Sequence, residues 1–179
     1  IITMKTFKSV SEVENYAKRL LDVEYDIKID GLMHHVNPMD VGYKFEWDNA
    51  KNRFGVCRYS RRVIGLSLPL VEGNLDNFTQ INDTILHEIA HAISYEIHGR
   101  KGRGHGEFWK HVARSIGCNA KRCYSTKDVN TPQYKYTLIC DSCGNESHAR
   151  RMGSSEYSCG KCSPRKFNKD FILRVIKNY

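Results

Sequence analysis

Apolar residues in the first third of the chain recur with two different periods. Val13, Tyr16, Ala17, Leu20 and Leu21 fall at helical spacing, and Ser9 and Ser11 each stand three residues ahead of a glutamate (Glu12, Glu14), so a capped helix is predicted over roughly 10–22. Tyr25, Ile27 and Ile29 then alternate with polar residues, as in a short strand. His34 and His35 lie in a polar stretch closed by Asn37-Pro38, and a loop is expected there. Tyr43, Phe45 and Trp47 alternate, the run Asp48 to Asn52 makes a turn, Phe54 to Tyr59 resumes extended character, and Val63 to Leu68 ends at Pro69. Three strands joined by short polar turns predict an antiparallel meander.

The period then changes to 3.6. Ile81, Ile85, Ile89, Ala92, Ile93 and Ile97 form one buried stripe, with Asp76 or Asn77 as cap, Asp83 early enough to favour the helix dipole and Gly99 as stop. A pliable loop with glycines at 99, 102, 104 and 106 follows, and a second helix starts near His105, with Trp109, Val112, Ala113 and Ile116 at helical spacing before Gly117. The stretch from Ser125 to Gln133, which contains Pro132, reads as a linker. The closing run Phe171 to Ile176 is apolar and docks either as a strand or as a helix.

Composition narrows the class. With 40% apolar and 11% aromatic residues in 179, the chain is globular, long enough for one core and a small appended module. No apolar stretch has the length of a membrane span and the N-terminus has no signal-like h-region, so a soluble, intracellular protein with no membrane partner is expected, and as a monomer. The formal charge of +8 and a pI near 9.1 favour an anionic partner. Between His98 and Lys127 eight basic residues (Arg100, Lys101, Arg103, Lys110, Arg114, Lys121, Arg122, Lys127) face one acid, Glu107. Four of the seven cysteines form a spaced set, leaving Cys57, Cys118 and Cys123 as an odd remainder that fits a reducing compartment without disulfides.

The chemistry is concentrated in the long helix. His87 and His91 are four residues apart, about 40° around a helix, so their imidazoles share a face that can chelate a metal. Glu88 sits beside that face, as suits a carboxylate acting on water instead of ligating the ion. Catalytic zinc keeps three protein ligands and a position for water, and His105, at the start of the next helix, is the third ligand expected. Near the C-terminus, Cys140-x2-Cys143, fifteen residues, then Cys159-x2-Cys162 has zinc-ribbon spacing, a closed four-thiolate shell for a structural zinc. Around it Arg150, Arg151, Lys161, Arg165, Lys166 and Lys169 are interleaved with Tyr157 and Phe167, cations and aromatic faces of the kind that bind single-stranded nucleic acid. With Arg100, Lys101 and Arg103 of the glycine-rich loop they make up the candidate nucleic-acid contacts.

His87-Glu88-x-x-His91, thirteen residues, His105-Gly106-x-x-Trp109, then Ala120-Lys121-Arg122 and the four-cysteine ribbon together resemble the SprT-like family, which includes the Spartan proteases of DNA–protein crosslink repair. The resemblance covers roughly residues 50 to 165. It implies an α+β fold, a zincin-like metalloprotease core of helices packed on a small, largely antiparallel sheet over 4–125, counted from Met4, followed by a small zinc-ribbon module over 134–179. It further implies two zinc ions, one catalytic on His87, His91 and His105 and one structural, with Glu88 as general base and acid of an endopeptidase acting on DNA-bound or DNA-crosslinked proteins. By the same resemblance Val63 to Leu68 is the candidate edge strand for an extended substrate. Metzincins fit less well, because their third ligand lies six residues after the second histidine and a methionine turn accompanies it. Tyr59, Tyr95 and Tyr124 stay open as oxyanion donors. Two alternatives also stay open: a non-proteolytic nucleic-acid-binding zinc protein, and a peptidase that does not depend on DNA.

Overall fold

Ser9 starts the first helix as its side chain accepts the Glu12 N–H at 3.3 Å, while the Glu12 carboxylate takes the Lys8 N–H at 2.8 Å. In the computed structural model, which describes residues 6–121 and 129–179, this helix is α1 (Val10–Leu21), and it buries Val13, Ala17 and Leu21. Met4, Arg122, Cys123, Tyr124 and Lys127 of the sequence reading lie outside the described residues. The chain separates into two compact units, Ile1–Thr131 and Pro132–Tyr179.

His34 and His35 are strand residues and not loop residues. β1 (Tyr25–Ile29) and β2 (Leu32–Val36) form an antiparallel hairpin with Ile29 opposite Leu32. Asp30 and Gly31 connect them with φ of 48° and 85°. An Asp-Gly pair with both residues left-handed is the two-residue turn whose twist matches the strands on either side, and it outweighs the polar character of the histidines.

The second sheet is not a meander. β3 (Lys44–Asp48), β4 (Gly55–Arg58) and β5 (Val63–Ser67) lie in the order β3-β5-β4, with β5 parallel to β3 and antiparallel to β4. All five residues of β5 are buried. A continuous apolar run has no polar face to turn to water and goes to the middle of a sheet, whereas the half-polar β3 and β4 tolerate the borders. Val63 to Leu68 is therefore the centre of the sheet and cannot be its substrate-binding edge. Asp48 organises the crossover: its carboxylate takes the Ala50 N–H at 2.6 Å and pairs with Arg53 at 2.6 Å and with Arg58.

Behind Ser67, a short helix α2 (Leu68–Glu72) leads to the 21-residue α3 (Phe78–His98), capped by Asn77, whose side chain accepts the Gln80 N–H at 3.1 Å, and ended at Gly99. Its stripe of Ile81, Ile85, Ile89 and Ile93 is fully buried in the core that also holds Ile64, Leu66 and Leu70. Each such side chain contributes about 1.5–3 kcal/mol on burial, which fixes the helix's rotation and with it the direction of His87 and His91. α4 (Glu107–Ser115) closes with Gly117 at φ 85° and the Cys118 N–H on the Ala113 carbonyl.

In the second unit β6 (Tyr136–Cys140) is paired on both sides, antiparallel, with β7 (Glu146–Ala149) and β8 (Leu173–Lys177). The apolar C-terminal run is thus a strand. No helix among the described residues is long and apolar enough to cross a membrane.

Candidate metal centre

The single turn separating His87 from His91 on α3 places both imidazoles toward the chain that returns into α4, and there His105 meets them. The Nε2 atoms of His87 and His105 are 2.9 Å apart, those of His91 and His105 3.1 Å, and those of His91 and His87 3.3 Å. A tetrahedral metal bound to imidazoles at about 2.0–2.1 Å holds its nitrogens about 3.3 Å apart, so the triangle fits one face of such a shell. Burial pushes the His87 imidazole down to about 4 and His91 down to about 3, and in each case neighbouring histidines of the group add to the effect. Three neutral rings that turn lone pairs toward one point repel each other unless a cation lies between them, and the donor set therefore suits a metal.

Tertiary contacts hold each ring. Trp109, fully buried, lies under all three, with centroid separations of 4.6 Å to His87, 5.1 Å to His91 and 4.6 Å to His105, and its indole N–H donates to the His87 carbonyl at 3.4 Å. The Lys121 carbonyl accepts from the His87 ring, and the Tyr59 hydroxyl lies 3.2 Å from Nδ1 of His91. Burial pushes the Tyr59 phenol up to about 12, so it stays neutral.

The loop between the helices is folded back by three contacts. Ser94 Oγ donates to the Gly102 carbonyl at 3.0 Å, the Arg103 guanidinium lies over the rings of Tyr59 and Tyr95 at 5.2 and 5.0 Å, and His98 stacks on Phe108 at 4.1 Å. Ser94 carries no signal in the chain pattern, and Gly102 serves its close approach to the Ser94 backbone, not only the loop's pliability.

Glu88 is 7% exposed and turns toward β4. Burial pushes its carboxyl up to about 8, against the opposing influence of Arg53 and of the Cys57 backbone N–H, which donates to it. Room for the carboxylate comes from Gly55: a Cβ there would stand 2.8 Å from Cγ and Oε1 of Glu88 and 2.8 Å from Cγ2 of Thr84. A glycine inside a strand pattern marks such a close approach, and Gly55 carries that signal in the sequence.

The second unit brings Cys140, Cys143, Cys159 and Cys162 together, with all four Sγ atoms within 4.8 Å of one another. The Cys140–Cys162 and Cys143–Cys159 separations are 3.8 and 3.7 Å. A tetrahedral four-thiolate zinc with Zn–S of about 2.3 Å spaces its sulfurs about 3.8 Å apart. Both pairs sit on matching turns, with the Gly144 N–H on the Cys140 carbonyl at 2.8 Å and the Ser163 N–H on the Cys159 carbonyl at 2.9 Å. Backbone N–H groups of Cys162 and Lys161 lower the Cys159 thiol to about 7.

The candidate nucleic-acid contacts divide in two. Arg100, Lys101, Arg151, Lys161, Arg165 and Lys166 are exposed, as are Tyr157 and Phe167. Arg103 is exposed too, with its guanidinium over the rings of Tyr59 and Tyr95, while the half-buried Arg150 covers the Tyr134 ring at 4.5 Å and donates to the Pro132 carbonyl at 3.4 Å.

Comparison with known proteins gives the family. The family model described as the SprT-like family matches residues 30–129, more than half of the chain. Protein SprT of Pseudomonas aeruginosa is 28% identical over 116 residues, covering 60% of this chain and 69% of that protein. Protein SprT of Pseudomonas putida is 25% identical over 130 residues, covering 69% and 76% respectively. The human Germ cell nuclear acidic protein is 29% identical over 113 residues, covering 59% of this chain and 15% of its own length. No solved structure matches. The histidine triangle, two ligands on α3 and one on the loop before α4, lies within the matched span, and the chain belongs to the SprT-like family.

Proposed function

We propose that this chain is a zinc-dependent endopeptidase that associates with DNA and cleaves proteins bound or crosslinked to it, with residues 4–125 as the SprT-like metalloprotease domain and 134–179 as a zinc-ribbon module. The observation that carries the reading is the approach of three Nε2 atoms within 3.3 Å of one another beside a buried glutamate. His87, His91 and His105 would hold the catalytic zinc, and the four ribbon cysteines a structural one. Zinc bound through three histidines lowers the pKa of water and polarises a scissile carbonyl. Glu88, buried beside the histidine site, would take a proton from the attacking water and return it to the leaving amine.

The substrate is held by β4, not by β5. The Ser67 N–H donates to the Phe54 carbonyl at 2.7 Å, so Phe54, Val56 and Arg58 direct their backbone groups into the sheet while Gly55 and Cys57 direct theirs outward beside Glu88. An extended polypeptide would pair by its own backbone with the groups of that border other than the Cys57 N–H, which Glu88 takes, and this makes recognition tolerant of side chains. Selection then comes from DNA: the exposed cations Arg100, Lys101, Arg151, Lys161, Arg165 and Lys166 suit phosphates, Tyr157 and Phe167 suit unpaired bases, and a shared strand raises the local concentration of protein substrate.

The test is a cleavage assay on a DNA-binding protein with and without single-stranded DNA, comparing the natural chain with Glu88→Gln. Cleavage that requires DNA and disappears in Glu88→Gln is the expected result. Equal cleavage by both proteins removes the mechanism, and cleavage indifferent to DNA removes the proposed selection.

A further inference from the structure

We propose that Tyr59 is a positioning residue for the histidine centre: its hydroxyl sets the ring of His91, and Arg103 holds Tyr59 in place, so that the end of β4, the helix α3 and the loop carrying His105 share one fixed geometry. This rests on the reading that His87, His91 and His105 hold a metal.

Tyr59 opens the tight turn Tyr59–Arg61 that follows β4, 32 residues before His91, and no sequence period connects the two. Its hydroxyl lies 3.2 Å from Nδ1, the ring nitrogen opposite the Nε2 triangle, and the two ring planes cross at 87°. A histidine that binds a metal through Nε2 carries its proton on Nδ1, and an acceptor for that N–H fixes both tautomer and ring rotation. The same tyrosine oxygen accepts the backbone N–H of Gly104, the neighbour of His105. One oxygen thereby supports a ligand on the helix and the backbone next to a ligand on the loop. This location, behind His91, gives Tyr59 an orienting role and not that of an oxyanion donor.

Arg103 completes the arrangement. Its guanidinium lies 5.2 Å from the Tyr59 ring centroid and 5.0 Å from that of Tyr95, and the two tyrosine rings are 4.9 Å apart. A cation over two aromatic faces is held by both, and Arg103 is joined through Gly104 to His105. Arg103 is exposed like Arg100 and Lys101 beside it, and its guanidinium lies in addition over two tyrosine rings.

The experiment uses the full chain with its ribbon cysteines loaded with zinc and titrates the histidine site with cobalt(II) against a chelator, read by the visible absorption of the bound ion. Tyr59→Phe keeps the ring for Arg103 and Tyr95 and removes the hydroxyl alone. It should weaken cobalt binding by about 10- to 100-fold and alter the absorption spectrum, the usual scale for losing a hydrogen bond to a ligand. Arg103→Ala should weaken cobalt binding in the same direction, and Arg103→Lys less so. Cobalt affinity and spectrum unchanged in Tyr59→Phe would overturn the positioning role while leaving the metal centre intact. Absence of cobalt uptake by the natural chain would overturn the metal centre itself, and this proposal with it.

Discussion

Gly55 on β4 faces Glu88 on α3 so closely that a methyl group at residue 55 would stand 2.8 Å from both Cγ and Oε1 of the glutamate. The strand and the helix come together at a point where one has no side chain and the other has its only buried carboxylate, with the Cys57 N–H as its hydrogen-bond donor. Gly55→Ala is therefore expected to turn Glu88 away while leaving the three histidines in place. Displacing a reacting group by about 1 Å can cost about 100-fold in rate, and a loss of that order is expected with zinc content unchanged. Parallel measurement of cleavage rate and bound zinc checks this, and an alanine variant with natural activity would show that the glycine is incidental.

Gly102 presents a harder constraint. A Cβ there would meet the backbone oxygen of Ser94 at 2.0 Å, and helix backbone cannot give way as a side-chain tip can. Gly102→Ala should push the loop off α3, separate His105 from His87 and His91, and destabilise the first unit by about 1–3 kcal/mol, the usual range for overpacking. Elemental analysis should find close to one zinc per chain in place of two. Retention of both ions would mean that the loop has another way to close.

Trp109 supports all three imidazoles from below with no exposed surface. Trp109→Ala should cost about 3–5 kcal/mol of stability, as is usual when a buried tryptophan is truncated, and should weaken metal binding as well. Trp109→Phe refills part of the volume and should recover most of both. Denaturant unfolding followed with and without chelator separates the packing loss from the metal loss.

In the ribbon, Cys159→Ser removes one of four clustered thiols. A unit this small depends on its metal for stability, so the variant should lose one zinc and the ordered β6–β8 sheet while still cleaving an unfolded peptide that needs no DNA. Amide exchange restricted to residues 132–179 would show the effect; slowed exchange equal to that of the natural chain would contradict a metal-dependent ribbon.

Lys161, Arg165 and Lys166 are exposed beside Phe167. If each neutralises one phosphate, replacing all three by alanine should reduce the slope of log affinity for single-stranded DNA against log salt by about 2, since each contact contributes about 0.7. An unchanged slope would place the DNA contacts elsewhere on the protein.

Much of this protein was legible from the chain alone because it depends on neighbours close in sequence. The pairing of His87 with His91, the 3.6-residue stripe of Ile81, Ile85, Ile89 and Ile93, the caps at Ser9 and Asn77 and the two Cys-x2-Cys turns are all set within a turn or two of backbone, where periodicity and local hydrogen bonding decide the outcome. The hairpin at Asp30-Gly31 and the inner place of β5 are encoded as locally, the first in its two turn residues, which outweigh the polar histidines, and the second in an unbroken apolar run, which places β5 between β3 and β4 against chain order. Only the tertiary structure decided the closeness of His105 to the other two histidines, the space that Gly55 leaves for Glu88, the contact of Tyr59 with His91 and the burial of Trp109 beneath the rings. Apart from the Trp109–His105 contact, each of these joins residues 14 to 33 positions apart, a distance over which no backbone period persists, and each is set by how the isoleucine face of α3 packs against the sheet and how tightly the glycine loop can lie along it.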